Sequence, residues 1–469
     1  MSGIAEKSTL TLQRQLGMWS ATALVVSNMI GTGIFTTTGF LAGDLGQPSL
    51  VVGIWVVGAL FALAGALCYS ELGVNFPTSG GEYVYLRQAY GPVWGFLSGW
   101  VSFFAGFSAP IAAAALAFAG YLAFIFPSLG QESSTLKWDL GGITWQIGAT
   151  QAIAAGLVVI LTLLNCVGIV LVARVQNVLT TIKVVVIAAF VLLGFFVGQG
   201  SWDNFGASAV PTSTSPLLQQ FAVSLFWVMF GYSGWNAATY VAEELQEPQR
   251  TLPRALIVGT VAVALMYLAL NVVFIYGTPL ETMKGEVAVG ALAASRLFGP
   301  QVASVFGALM ALAIVSTVNA MITIGPRVYY AMAKDGAFLN VAARLSPRSR
   351  VPIAAVICQG ACAMLMTFSS FPQLVTYIGF SLTFFTVLAV SSLFVFRRRP
   401  GWQRLSTVSM AFPLVPASYL LVGAWMIYYG FMLRPAISAA VVLTLITGAV
   451  VYYARLRTGG TRKRKEIAT

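Results

Sequence analysis

The chain has 469 residues, of which 58% are hydrophobic and 9% are charged, and its formal net charge is +12. A soluble domain carries about 25% charged residues, so this composition excludes a soluble globular protein. Apolar runs such as 50–67 and 256–275 approach the roughly 20 residues that cross the hydrocarbon layer as a helix. The composition therefore predicts an all-α polytopic membrane protein.

Turn residues and charges divide the chain into twelve predicted transmembrane helices. The eighth segment is too long for one crossing, and we expect it to begin with a polar helix outside the membrane. The helices are predicted at residues 16–42, 49–75, 91–125, 146–170, 177–198, 216–242, 254–277, 288–333, 352–369, 372–396, 409–430 and 433–456. They form a first block of five (16–198), a second block of five (216–396) and a final pair (409–456), between an N-terminal tail (1–15) and a basic C-terminal tail (457–469).

Lysine and arginine are concentrated in alternate loops. Because such residues stay cytoplasmic in short loops, we predict that both termini are cytoplasmic and that the protein lies in the cytoplasmic (inner) membrane. The opposite loops hold Lys137, Lys284, Arg296 and Arg434, whereas the cytoplasmic loops hold Arg87, Arg174, Arg250, Arg254, Lys334, Arg344, Arg348, Arg350, Arg397, Arg398, Arg399 and Arg404. We attribute the positive charge to this asymmetry and to attraction by anionic lipid, and not to nucleic-acid binding.

Histidine is absent, and the four cysteines, Cys68, Cys166, Cys358 and Cys362, lie in or beside apolar segments. Cys358 and Cys362 are one helical turn apart, but no histidine or carboxylate accompanies them, so we interpret them as packing residues. We predict no metal site and no cofactor. The sequence also lacks a phosphate-binding loop and a carboxylate pair inside the membrane, which argues against an enzyme or a primary pump.

Glycines interrupt the middle of two predicted helices, at Ile30-Gly-Thr-Gly-Ile-Phe35 in the first and at Phe230-Gly-Tyr-Ser-Gly-Trp-Asn236 in the sixth. Each helix opens a block of five. Paired interruptions at corresponding positions indicate an inverted-repeat transporter whose binding site lies at the breaks. The alternative interpretation is that the glycines only permit close packing between helices.

The ends of broken helices predict what binds there. Unwinding would free N–H groups of Gly31, Thr32 and Gly33 at a positive helix end, which suits a carboxylate, and a side chain at position 33 would fill that place. Free carbonyl groups at Met29, Phe230 and Ser233 would suit an ammonium group. We predict a substrate site made of Met29, Ile30, Gly31, Thr32, Gly33, Phe230, Gly231, Ser233 and Asn236.

Taken together, the motifs resemble the amino acid–polyamine–organocation superfamily over essentially the full chain, and its L-type branch most. The matching stretches are Ile30–Phe35, Glu71–Tyr85, Phe230–Asn236 and Val241–Arg254. The resemblance implies a LeuT-type fold, in which two inverted repeats of five helices are followed by two more. It also implies amino acid transport by alternating access.

Carried over to this sequence, the resemblance implies a neutral amino acid carrier in which Phe230 covers the site. Ser233 replaces a glycine found in branches that take bulky substrates, which favours a small pocket and substrates like alanine or serine. Asn236 is expected to be a polar contact or an anchor of the unwound segment, or else to bond only the backbone. The alternative function is proton-coupled uptake of cationic amino acids or polyamines, for which we find no carboxylate at membrane depth.

Lys183 lies inside predicted helix five. A charge there is costly and usually functional, although a lysine can also extend its ammonium group to the membrane surface. The family's lysine at this place stands where sodium-coupled relatives hold sodium. The resemblance therefore implies sodium-independent exchange or facilitation, with proton coupling as a variant.

Charged residues beyond helix six and helix two, namely Glu243, Glu244 and Arg87, form either a solvated surface or a salt-bridge gate on the cytoplasmic side. Mammalian L-type carriers pair with a glycoprotein through a cysteine in the loop after helix three. The equivalent loop here, 127–145, contains no cysteine. We therefore expect a stand-alone carrier without a disulfide-linked subunit.

Overall fold

The computed structural model describes residues 14, 16–78, 80–130, 136–167, 170–334, 338, 340–346 and 351–456, with the backbone alone for 167, 170–180, 331, 334, 340, 455 and 456. The predicted tails, except Arg14, lie outside the described residues. So do Arg348, Arg350 and the side chains of Arg174 and Lys334.

Every one of the twelve predicted segments contains a helix. In chain order, the helices are Met18–Met29 with Gly33–Leu45; Pro48–Asn75; Pro92–Val101, continued by a π-helix (Ser102–Ser108) into Ala109–Ile125; Ala149–Val167; Val170–Phe196; Leu217–Tyr232, followed by a 3-10 helix (Ala237–Glu244); Pro248–Gly277; Val289–Phe298 and Pro300–Lys334; Ile353–Met366; Phe371–Phe396; Leu414–Leu433; and Pro435–Val451, ending in a π-turn (Tyr452–Leu456). Short helices add Glu82–Tyr90, Pro127–Gly130, Trp202–Phe205, Leu280–Met283, Asn340–Ala343 and Ser406–Ser409.

Among the described residues, eight helices are long and apolar enough to cross a membrane, and a ninth span results if the bent first pair is counted as one. The all-α polytopic architecture is thereby confirmed, whereas twelve crossings remain a prediction. Several helices begin at proline, as at Pro48, Pro92, Pro300 and Pro435. Proline suits the first turn because its missing N–H would have no helical acceptor there.

The eighth predicted segment divides at Gly299, whose φ of +89° ends one helix before the next begins. The ten-residue helix before it, Val289–Phe298, was expected to be polar. That expectation is wrong, because the helix is apolar and six of its residues are buried. It packs as part of the core instead of lying in solvent.

The loop after helix three contains a β-hairpin that the all-helical prediction missed. Strand β1 (Leu136–Leu140) pairs antiparallel with β2 (Ile143–Ile147) around Gly141 and Gly142, which both have positive φ. The sequence signal was present: two alternating runs separated by Gly-Gly are typical of a hairpin. The Gln146 N–H donates to the Phe368 carbonyl oxygen (2.7 Å), so the hairpin joins the start of helix ten.

The tenth helix, Phe371–Phe396, defines the two ends of the bundle. Near its start, the Gln373 side chain accepts a hydrogen bond from the Thr144 N–H of β2 (3.0 Å). At its other end, Arg397 pairs with Glu71 of helix two. We call these ends the hairpin end and the Arg397 end, and the sequence predicts that the second is cytoplasmic.

Candidate functional site

The first helix breaks where its glycines predicted. Its first half ends at Met29, its second half begins at Gly33, and the two halves are bent by 43°. The Gly31 N–H bonds to the Met29 carbonyl oxygen (2.8 Å). The N–H groups of Thr32, Gly33 and Ile34 donate no hydrogen bond to any described residue. The break therefore presents free donors at the positive end of the second half.

The sixth helix breaks as well, but differently. Its first half ends at Tyr232, Ser233 is extended (ψ 142°), and Gly234 has a φ of +98°. Only glycine adopts that conformation without strain. The chain then continues as the 3-10 helix Ala237–Glu244. The negative end of the first half, with the carbonyl groups that precede Ser233, thus points to the centre of the bundle.

The two breaks contact each other directly through backbone. A Cβ atom placed on Gly33 would lie 2.5 Å from the Cα of Gly231, and one on Gly234 would lie 2.9 Å from the backbone of Asn28. The close-packing interpretation therefore holds for Gly33 and Gly234, and the missing side chain of Gly33 faces helix six. By contrast, a Cβ on Gly31 would meet only the Met29 carbonyl oxygen, at 3.9 Å.

Lys183 reaches the first break. Its ammonium group donates to the carbonyl oxygen of Ile30, and the residue is only 5% exposed. The contact places a cation at the negative end of the first half of helix one, where the helix dipole favours it. This geometry contradicts the alternative in which the side chain extends to the membrane surface.

Tyr267 of helix seven joins the two breaks and was not predicted. Its buried hydroxyl group lies 2.6 Å from the Met29 carbonyl oxygen and 3.2 Å from that of Gly231. The Met29 carbonyl, which the sequence suggested for a substrate ammonium group, thus already accepts a hydrogen bond. No motif surrounds Tyr267, so nothing in the sequence marked it.

An aromatic cluster lies between the breaks and the hairpin end. Phe40, from the second half of helix one, stacks on Trp227 of helix six with ring centroids 4.6 Å apart, and Phe371 lies 5.6 Å from Phe40. The cluster joins helices one, six and ten on that side. Phe230, the predicted cover of the site, is itself buried at 6% exposure, and its role stays a prediction.

At the Arg397 end, a buried ion pair clamps helix two to helix ten. Arg397 Nε and Nη2 donate to the two oxygens of Glu71 (2.7 and 2.6 Å), and the Trp402 indole N–H donates to the same carboxylate (2.8 Å). Bidentate pairs of this kind are strong and geometrically specific. Glu71 therefore has a structural partner here and is not a substrate contact.

Asn236 bonds a carboxylate, so it does not bond the backbone alone, and its role as a polar contact or an anchor of the unwound segment stays a prediction. Its amide group donates to Glu82 (2.6 Å) and to the Tyr240 hydroxyl (3.3 Å). The predicted gate residues Glu243, Glu244 and Arg87 take part in no ion pair between described residues. Instead, Leu16 and Leu245 pair through backbone, which ties the start of helix one to the end of helix six.

Comparison with known proteins identifies the family of the chain. The sequence matches the family described as Amino acid permease over residues 16–456. The chain belongs to this family. The permease is 28% identical over 458 residues to the Large neutral amino acids transporter small subunit 2 of Oryctolagus cuniculus, an alignment that covers 95% of this chain and 81% of the relative.

Two further relatives are similar over the same extent. Asc-type amino acid transporter 1 of Mus musculus is 26% identical over 449 residues (95% of this chain, 81% of the relative). The b(0,+)-type amino acid transporter 1 of Mus musculus is 27% identical over 452 residues (96% and 89%). The superfamily resemblance is confirmed, and these relatives support amino acid transport by the permease.

Proposed function

We propose that the permease carries small neutral L-amino acids by alternating access, with the substrate bound where the two broken helices meet. The observation that carries the proposal is the set of N–H groups at Thr32, Gly33 and Ile34 that bond to none of the described residues. Buried backbone donors are costly to leave unsatisfied, and a ligand carboxylate satisfies several at once. The positive helix end adds to the attraction.

The opposite charge of an amino acid has a counterpart in the same place. The first halves of both broken helices end here, so their carbonyl groups supply negative partial charge. The carbonyl oxygens of Met29 and Gly231 lie on the Tyr267 hydroxyl group, and that of Phe230 accepts from the Ser233 N–H (3.2 Å). The Ser233 carbonyl is therefore the favoured acceptor for the substrate ammonium group, with the second lone pair of the Phe230 carbonyl oxygen beside it. Ser233, with its hydroxymethyl side chain, favours substrates the size of alanine or serine.

Lys183 supports sodium-independent exchange or facilitation. Its ammonium group already provides a positive charge at the Ile30 carbonyl oxygen. A bound sodium ion at that place would be repelled by a cation and would lack carboxylate ligands. We therefore infer that transport is not coupled to sodium. From the loop without cysteine and the charges of the other loops, we further infer a stand-alone carrier in the cytoplasmic membrane with both termini inside.

The second candidate is proton-coupled uptake of cationic amino acids or polyamines. One observation favours it: Glu82, which is 8% exposed, bonds Asn236 only three residues beyond Ser233. However, both oxygens of Glu82 already accept hydrogen bonds from neutral side chains. We therefore rank this function below neutral amino acid transport.

Counterflow in proteoliposomes containing the purified chain alone tests the proposal. Labelled alanine should be exchanged by internal alanine, serine or threonine, equally in sodium and in choline buffers. Lysine and putrescine should not compete. Strict sodium dependence, or counterflow driven by lysine but not by alanine, would overturn it, and activity only with an added protein subunit would refute the stand-alone assignment.

A further inference from the structure

Glu82 is a buried carboxylate whose partners come from separate parts of the fold. It lies at the start of the short helix Glu82–Tyr90, between helices two and three. One oxygen accepts from the Tyr69 hydroxyl of helix two (3.0 Å) and from the Asn236 amide (2.6 Å). The other accepts from the Tyr240 hydroxyl (2.5 Å). Asn236 and Tyr240 both belong to the part of helix six beyond its break.

Among the described residues, the hydrogen-bond partners of Glu82 carry no positive charge. The charge of Glu82 acts on four tyrosines: Tyr69 of helix two, Tyr85 of its own helix, Tyr240 of helix six and Tyr419 of helix eleven. No ion pair between described residues includes Glu82. Burial, and then the charge of Glu82, raise the pKa of Tyr85, so this phenol remains protonated. The carboxylate is held by neutral donors alone.

Neutral donors bind a carboxylate most strongly while it is ionised. An ionised carboxylate accepts at every lone pair, whereas a protonated one must itself donate from one oxygen. Hydrogen bonds to a charged group are roughly twice as strong as those between neutral groups. Loss of the charge at Glu82 therefore weakens the attachment of Asn236 and Tyr240 together.

The segment that Glu82 holds is also tied to the start of helix one. The 3-10 helix Ala237–Glu244 is short, and Leu245 pairs with Leu16 ahead of helix one. Trp235, between the break and Asn236, packs edge-on against Tyr69 (4.8 Å), which is itself a donor to Glu82. Movement of this segment away from helix two would open the route from the breaks to the Arg397 end.

We propose that Glu82 is a positioning residue, a carboxylate latch whose ionised form holds the second half of helix six against helix two and whose release accompanies opening at the Arg397 end. Its functional meaning rests on the proposed transport cycle. It does not touch the substrate, since its oxygens are occupied by Tyr69, Asn236 and Tyr240.

Thiol labelling tests the latch without any substrate. Ala242, which is fully buried in the 3-10 helix, is replaced by cysteine in a chain whose four native cysteines are removed. N-ethylmaleimide should modify Cys at this position several-fold faster when Glu82→Gln is added, and Glu82→Asp should give an intermediate rate. Glu247→Gln, which neutralises an exposed carboxylate of the ion pair with Arg250, is the matched control and should change nothing.

The dependence on pH separates a latch from a merely structural contact. Both proteins carry the cysteine at position 242, and the labelling rate of the one that retains Glu82 is divided by the rate of the Glu82→Gln variant at the same pH. This ratio cancels the titration of the thiol. The ratio should rise towards one as the pH is lowered. A Glu82→Gln rate equal to that of the parent at neutral pH, or a ratio independent of pH, would overturn the proposal.

Two further results keep the latch and the transport proposal apart. If Glu82→Gln does not elute as a single species in detergent, Tyr240→Phe removes one donor and should raise the labelling rate by a smaller factor. An unchanged rate in that variant counts against the latch. A carrier that shows the labelling pattern but exchanges no amino acid refutes the proposed substrates and leaves the latch standing.

Discussion

The two broken helices carry similar glycine motifs but form different structures. After Met29, helix one resumes at Gly33 as an α-helix of 13 residues. After Tyr232, helix six turns through Gly234 and continues as a 3-10 helix of eight residues. The first break thus exposes the N–H end of a new helix, whereas the second exposes mainly the carbonyl end of an old one. An amino acid has a carboxylate and an ammonium group, and it therefore needs one helix end of each kind.

The glycines themselves act by different means in the two breaks. Gly234 has both a positive φ and a backbone neighbour at 2.9 Å, so its conformation and its packing each exclude a side chain. In helix one, Gly31 and Gly33 have ordinary φ angles, and only Gly33 is in close contact. Identical residues in paired motifs therefore serve both conformation and close approach in helix six, but close approach alone in helix one.

The largest effect is expected where the two breaks touch. Gly33→Ala places a methyl group 2.5 Å from the Gly231 Cα. Because the neighbouring atom belongs to the backbone, no side-chain rotation can relieve this clash. Overpacking of this kind costs about 1–3 kcal/mol and displaces helices. We expect complete loss of counterflow and a lower melting temperature in detergent.

Gly31→Ala is the matched control, because its methyl group meets only a carbonyl oxygen at 3.9 Å. The variant should keep its melting temperature and measurable transport. Equal losses in both variants would mean that the glycines act through backbone freedom, and not through contact between the helices.

The sequence predicted the features that depend on local chemistry. Long apolar runs marked the helices because lipid leaves no other way to satisfy the backbone, and Gly31, Gly33, Gly231 and Gly234 marked the breaks. Lys183 was found because a charge inside an apolar run is conspicuous. The hairpin at Gly141 was missed, although its turn could be read, because its short strands stand between much longer apolar segments.

The contacts that close the site were beyond a single sequence. Tyr267 and Met29 are 238 positions apart, and Glu82 and Asn236 are 154 apart. Such pairs depend on how helices pack, and the residues next to Tyr267 or Glu82 in the sequence do not indicate their partners. The apolar helix Val289–Phe298 was assigned wrongly for the same reason. The length of segment 288–333 shows that it exceeds one crossing, but not whether the additional residues are buried in the core or lie in solvent.

The second prediction asks how far the Lys183 contact accounts for the behaviour of helix one. Lys183→Ala removes a hydrogen bond from a charged donor, which is worth about 1.5–3 kcal/mol, and releases the Ile30 carbonyl oxygen. We expect transport to fall by about 10- to 100-fold, with altered affinity on the cytoplasmic side, while helix six and the melting temperature change little.

Lys284→Ala provides the control, because that lysine pairs with the exposed Glu281 at the surface. It should transport normally. Full activity and unchanged affinities on both sides in Lys183→Ala would remove the lysine from the mechanism, and activity that rises steeply on acidification of the unmodified carrier would point to a titrating group and proton symport.

The smallest effect is expected at the other break, from Ser233→Gly. Ser233 is partly buried with a φ of −55°, so glycine fits the backbone there without relieving strain. Removing the hydroxymethyl group enlarges the space beside the Phe230 carbonyl, and contacts of this size change selectivity by about 1 kcal/mol, or several-fold. Competition against labelled alanine should shift towards leucine or phenylalanine, whereas Ser406→Gly, at an exposed serine, should leave the order of competitors unchanged. If Ser233→Gly lowers all substrates equally, helix six supplies only carbonyl groups and the pocket size is set by residues of helices three and ten.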